Sequence, residues 1–172
     1  MRYFNLSKEG IMGMALKSQK STMLATGTSG VLDSREVYQA SPLDRIEMIG
    51  RGVAASDVVA LARSLNRSTG QLIAMLDVAP STFQRKLKEH KALTSSEAER
   101  VIGFSKLVGQ VETMVEEAGN PQGFEASKWL ADWLDTPNPA LGGRCPGEFL
   151  STSEGLGIVS GLLSQMQSGA YA

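Results

Sequence analysis

Cysteine and histidine are almost missing from this chain: Cys145 and His90 are each the only residue of their kind. A single thiol closes no internal disulfide and builds no cysteine zinc site. Cys145 sits in a Gly/Pro-rich turn with no nucleophile signature around it, which argues against a Cys–His catalytic pair. There is no Gly-rich phosphate loop, metal spacing or His/Cys/Asp cluster. No enzymatic activity and no cofactor are therefore expected. No apolar run reaches the ~18 residues that a membrane span needs. Strand-like alternation is weak. An excess of one charge is also lacking, since the formal net charge is −1.

That balance hides an asymmetry. From Ser41 to Gly103 there are nine Lys/Arg against seven Asp/Glu, and from Phe104 to Ala172 three against eight. A mildly basic middle suits an anionic partner and an acidic end suits something else, although scattered surface charge gives the same count. With 42% apolar residues the chain can build a real core. Its length fits one large domain or two small ones. Residues 1–40 carry Lys8, Lys17 and Lys20 among many Ser, Thr and Gly. Their best apolar run, Ile11–Leu16, is too short for a secretory signal. They are expected to be a flexible or peripheral tail.

Helical periodicity recurs from Pro42 onward, so an all-α fold is expected. Ser41 caps a helix with Pro42 at its first position and Asp44 in its first turn, and this helix is expected to stop at Gly50. Val58, Leu61, Ala62 and Leu65 share one helical face. Ser68 and Gln71 have capping-box spacing and open a helix holding Leu72, Ile73 and Leu76. After a break at Asp77–Ala79, Pro80 starts a helix to about Lys88 with Phe83 and Leu87 inward. A second capping box, Thr94 to Glu97, opens the longest helix, to about Glu117. Its stripe of Val101, Phe104, Val108, Val111 and Val115 is either a core face or a dimer seam. Phe124, Trp129, Leu130, Trp133 and Leu134 form a further apolar face. A turn-rich loop follows, then a short helix from Pro146 to Leu150. A last helix runs from about Ser153 to Gln167 and stops at Gly169.

Two short helices with a tight break between them, Gln71 to Lys88, have the geometry of a helix-turn-helix. On the second helix Ser81, Thr82 and Gln84 can bond phosphates or bases. Arg85, Lys86 and Lys88 can neutralise phosphate charge. A helical hairpin with a solvated basic face fits the same residues. The turn is irregular: Asp77 stands where such turns often have Gly, and Ala79 where a Ser or Thr cap is usual.

The C-terminal residues carry a resemblance. Trp133-Leu134, Pro137-Asn138-Pro139-Ala140-Leu141-Gly142-Gly143-Arg144, Pro146, Phe149-Leu150, Gly155, Val159, Leu163 and Gly169-Ala170-Tyr171-Ala172 resemble the toxin-binding domain of the Xre/MbcA/ParS-like antitoxins. Upstream, Ser81 to Leu87 and Leu93 to Arg100 are similar to the same family's helix-turn-helix and the helix after it. The resemblance spans about Ser41 to Ala172. It departs at Cys145–Glu148 and at Leu130.

The resemblance implies a helix-turn-helix domain over residues 41–117 and a toxin-binding domain over residues 118–172. It implies a cytoplasmic antitoxin with no catalytic role of its own. The partners it implies are an adjacently encoded RES-domain toxin that consumes NAD, by hydrolysis or ADP-ribosyl transfer, and the promoter of the shared operon. The residues it points to for toxin contact are Trp133, Pro137, Asn138, Leu141, Gly142, Gly143, Arg144, Pro146, Phe149, Leu150, Gly169, Tyr171 and Ala172. A single reader helix binds DNA weakly, so a homodimer or a toxin-bridged assembly is expected. Tyr171 and the nearby carboxylate are expected either to obstruct the toxin's NAD entrance or to pack on their own domain. Gly155, Gly157 and Gly161 in the last helix serve either the core or a toxin surface. The other reading is a stand-alone regulator whose C-terminal domain dimerises or binds a ligand; a neighbouring RES-domain reading frame separates the two.

Overall fold

The structure, a computed structural model, describes residues 32–119 and 122–168. The described residues are helical, with isolated antiparallel bridges at Ala54–Ala92 and Asn138–Arg144 in place of any sheet. The α-helices are α1 (Ser34–Gln39), α2 (Pro42–Arg51), α3 (Ala55–Ser64), α4 (Thr69–Met75), α5 (Pro80–Lys88), α6 (Ser95–Glu117), α7 (Ala126–Leu134) and α8 (Ser153–Gln167). Short 3-10 turns at Pro139–Leu141 and Pro146–Phe149 join α7 to α8. None of the described helices is long and apolar enough to cross a membrane.

Local chemistry sets the helix starts. Ser41, Ser68 and Thr94 each accept the amide of the third helical residue, while Asp44, Gln71 and Glu97 reach back to the cap amide. Each reciprocal pair satisfies two of the donors that a helix start leaves open. Helix α2 runs one residue beyond the expected stop: Gly50 lies inside it, and the cap is Gly52 at φ 87°.

The expected tail boundary at residue 40 is corrected. Asp33 accepts the amides of Arg35 and Glu36 and so caps α1. Val37 is buried, and Ser34 Oγ lies 3.0 Å from Ser105 Oγ of α6. The two helices meet where α6 has Gly109, since a Cβ there would stand 2.0 Å from the carbonyl oxygen of Ser34. Residues 1–31, the rest of the expected tail, lie outside the described residues.

Helix α6 is the spine of the protein. Its stripe resolves as core: Val101, Phe104, Val108 and Val111 are buried within this one chain, with Val115 partly so. On one side it carries α1 and α2, and on another α7 and α8. Gly103 takes Leu156 of α8 against its backbone. Gln110 is buried and fully used: its amide nitrogen donates to Ser160 O and Ser164 Oγ, both at 3.0 Å, and its oxygen accepts from Ser160 Oγ at 2.7 Å. A buried amide satisfied on both ends fixes the register of two helices more tightly than apolar contact alone.

Candidate functional site

The α4–α5 unit is built as the sequence implies. Helix α4 ends at Met75 with Leu76 as its cap, and Asp77 takes φ 51°, the left-handed conformation that such turns usually assign to Gly. Asp tolerates it better than most residues. Arg100 of α6 steadies the turn, donating through Nη2 to the Asp77 carbonyl at 3.2 Å. Val78 is buried beneath the turn. Helix α5 then starts with Pro80 at its first position and no side-chain cap from Ala79. Pro80 has no amide to leave open, but the next amides of the first turn have no capping side chain.

On α5, Ser81, Gln84, Arg85 and Lys88 are exposed and Thr82 half-buried, while Phe83 is fully buried. Together the exposed residues form a basic, hydrogen-bonding strip of the kind that meets nucleic acid. Lys86 does not belong to it. Only 8% exposed, it turns inward beside Phe83, three residues away and on the same face. There its ammonium pairs with Glu97. Burial pushes the Glu97 carboxyl up, but the Lys86 bond and the Thr94 amide and hydroxyl outweigh it. The carboxyl is held below its ordinary value. Lys86 is thus removed from the phosphate-facing set: it bolts α5 to the start of α6. His90 remains exposed, and Lys91 pairs with Glu89 at 2.8 Å.

The second surface lies beyond α7. Asn138 amide donates to Arg144 O and Gly143 amide to Asn138 O, both at 3.0 Å, closing a loop with its tip at Gly142 (φ 67°) and Gly143 (φ 81°). Pro137, Gly142, Gly143 and Arg144 are exposed, and Leu141 is half-exposed. The Arg144 guanidinium lies over the Phe149 ring, 4.4 Å from its centroid, and is gripped by Glu148 Oε2 at 3.0 Å (Nε) and 2.9 Å (Nη2). The Glu148 carboxyl is lowered first by the Cys145 amide and then by Arg144. Arg144 is therefore a pre-positioned cation at the protein surface, with donors left for a partner.

Three residues expected to touch a toxin are structural instead. Asn138 is buried and accepts the Ala140 amide at 2.9 Å. Pro146, the first residue of the second 3-10 turn, is buried, and Leu150 is sealed in the core. They shape the loop. Gly169, Tyr171 and Ala172 lie outside the described residues.

Beside Trp133, which is among the residues expected to touch a toxin, stand two aromatic rings that are not, Phe124 and Trp129. Trp129 stacks on Trp133 at 6.0 Å and 7°, and Phe124 tilts onto Trp129 at 6.1 Å. All three rings keep some solvent exposure. On α8, Gly155 belongs to the core, since a Cβ there would meet Phe149 O at 1.9 Å. Gly157 and Gly161 have open space before them and flank the exposed Ile158. The apolar periodicity of α7 is the sequence signal for Phe124 and Trp129.

A clasp joins the α3–α4 connection to α7. Arg67, between α3 and α4, donates to Ala131 O at 2.9 Å and pairs with Asp135 at 2.5 Å. Both lie at the C-terminal end of α7, where carbonyls are unsatisfied and a cation is favoured.

Comparison with known proteins agrees with this geometry. Residues 44–106 match the family described as the antitoxin Xre-like helix-turn-helix domain. Residues 122–169 match the antitoxin Xre/MbcA/ParS C-terminal toxin-binding domain. A Prs ADP-ribosylating antitoxin from Sphingobium sp. (strain YBL2) is 44% identical over 138 residues, which cover 80% of this chain and 87% of that protein. The chain belongs to the Xre/MbcA/ParS antitoxin family, with a helix-turn-helix domain matched over residues 44–106, which include α4 and α5, and a toxin-binding domain matched over residues 122–169.

Proposed function

We propose that this antitoxin neutralises a RES-domain toxin encoded beside it and represses their shared promoter through α5. The toxin consumes NAD, by hydrolysis or by ADP-ribosyl transfer, and both partners work in the cytoplasm, where NAD and the promoter are found. The observation that carries the reading is the Arg144 loop within the toxin-binding match: a cation held by Phe149 and Glu148 on an exposed tip. The name of the Sphingobium relative, an ADP-ribosylating antitoxin, supports the NAD chemistry. On this reading Trp133, Pro137, Leu141, Gly142, Gly143, Arg144 and Phe149 form the toxin-facing surface. Ser81, Thr82, Gln84, Arg85 and Lys88 face the promoter.

Coexpression with the adjacent reading frame tests it. The pair should copurify, and cellular NAD should fall when the toxin is expressed alone or with Arg144→Glu. Full protection by Arg144→Glu would remove the loop from the inhibitory surface. An adjacent product without NAD-consuming activity would overturn the toxin assignment and favour a stand-alone regulator.

A further inference from the structure

Among the described residues, helix α2 is pinned from one side. Arg45 donates to the carbonyls of Val37 and Ala40 at the end of α1, and Met48 and Ile49 pack on the core. The opposite side carries Leu43, 72% exposed, and Ile46, 63% exposed, the two most exposed of the large apolar residues among those described. Fraying does not account for them, because the helix starts with a complete capping box and ends on a glycine cap. Gly50 lies on the same face, at i+4 from Ile46 and i+7 from Leu43. Glycine inside an exposed helix is unfavourable. Nothing in the packing of the described residues requires it, since a Cβ at residue 50 would meet none of their atoms within 4 Å. Glu47 and Arg51 are exposed along one flank of this face, and neither forms an ion pair among the described residues. Arg51 reaches only the Glu47 carbonyl, at 3.4 Å.

This pattern is complementary to itself. Two antiparallel α2 helices related by a two-fold axis near Met48 place Ile46 of each copy opposite Gly50 of the other. A side chain then enters the gap left by the missing Cβ. In the same register Glu47 falls within two residues of the other copy's Arg51, about 3 Å along the axis. A two-fold of this kind keeps the charged flank of one helix against the same flank of the other, so two ion pairs form at once. A symmetric pair must use one patch for both partners, and the alternation of bulky, empty, acidic and basic positions on α2 meets that requirement.

We infer that the Leu43–Ile46–Gly50 face of α2 is the contact through which a second copy of this chain binds. The inference rests on the helix face and not on the toxin reading. The contact is short and smaller than a standard stable interface, so the dimer is concentration-dependent in solution. Two reader helices held by such a two-fold fit the paired half-sites that helix-turn-helix proteins use.

Sedimentation of the full chain over a concentration series tests the assignment. The wild type should shift from monomer to dimer. Ile46→Arg should raise the dissociation constant at least tenfold, on the order of a central interface residue. Gly50→Leu should also weaken the dimer while raising the melting temperature, an opposition that a purely structural role does not produce. Glu47→Arg should weaken the dimer, and Glu47→Arg with Arg51→Glu should restore it. A wild type that stays monomeric at every concentration would overturn the inference, as would Ile46→Arg and Gly50→Leu chains that dimerise like the wild type. Variants that dimerise normally but no longer copurify with the adjacent gene product would assign the face to that partner instead, and also overturn it.

Discussion

Lys86 and Glu97 form a buried ion pair that joins helix α5 to the first turn of the spine α6. The pair converts a lysine that reads as a phosphate ligand into a bolt. Removing one partner of a buried pair leaves an uncompensated charge, which costs on the order of 3 kcal/mol. Lys86→Ala and Arg85→Ala should therefore fail differently. Lys86→Ala should lower the melting temperature and loosen promoter binding without changing its salt dependence. Arg85→Ala should leave the melt alone and flatten the slope of log affinity against log salt by about 0.9 for each phosphate that α5 no longer neutralises. Thermal melts and fluorescence anisotropy in graded salt separate the two.

The same pair sets an acid limit. The Glu97 carboxyl is held below its ordinary value in the folded protein. A depressed carboxyl stabilises the fold above the unfolded value, about 4.3, and loses that contribution as pH falls through the folded one. Stability should therefore decline through the acid range below about pH 4. Glu97→Gln should be less stable at neutral pH and show a shallower decline. Denaturant titrations at stepped pH check the sign; an equal acid slope in the variant would remove Glu97 from the effect.

Glycines of α6 and α8 should divide by what stands before them. Gly109→Ala and Gly155→Ala push a methyl into the backbone oxygens of Ser34 and Phe149 and should destabilise. Gly157→Ala and Gly161→Ala meet open space and should stabilise the free protein by about 0.5–1 kcal/mol each. Four melting curves decide the matter.

Arg67→Met keeps the aliphatic stem and removes the clasp on Ala131 O and Asp135. Hydrogen bonds to a charged group contribute about 1.5–3 kcal/mol, and the exposed Asp135 places the effect at the lower end. The Trp129–Trp133 stack on α7 supplies a fluorescence reporter. Hydrogen exchange should rise in α7 before it rises in α6.

Deleting Gly169–Ala172 should leave the complex with the adjacent toxin intact while releasing part of its activity, if Tyr171 obstructs the NAD entrance. Full inhibition at unchanged affinity would assign inhibition to the rest of the toxin-binding domain. Parallel pull-down and NAD-consumption assays give the two readouts.

Much of the fold was legible because its signals are local. The Ser41 cap, the Ser68 and Thr94 boxes and Pro80 are read within four residues, and the structure forms each of them, adding a return bond from Asp44 at Ser41. Helix α1 was not legible. It spans six residues and buries only Val37, too short for a period to show, and its fit depends on Gly109, some seventy residues away. The direction of Lys86 was half-legible: it shares a face with Phe83, but residue type pointed outward and the partner Glu97 lies past a turn. Leu150, Pro146 and Asn138 were drawn in as toxin contacts by their place in the motif, which does not distinguish residues that shape a loop from residues that touch a partner.

Helix α6 has a bearing on how this family can recombine. The helix-turn-helix match ends at residue 106, in the middle of α6, while the half beyond it still carries Gly109 for α1 and Gln110 for α8. A crossover at that boundary would pair one lineage's Gly109 cradle and Gln110 lock with another's α1 and α8. Chimeras that exchange toxin specificity should tolerate a splice between α6 and α7 only when α8 arrives with a matching Ser160–Ser164 edge and a side chain that fits over Gly103. The spine would then be inherited together with both of its ends.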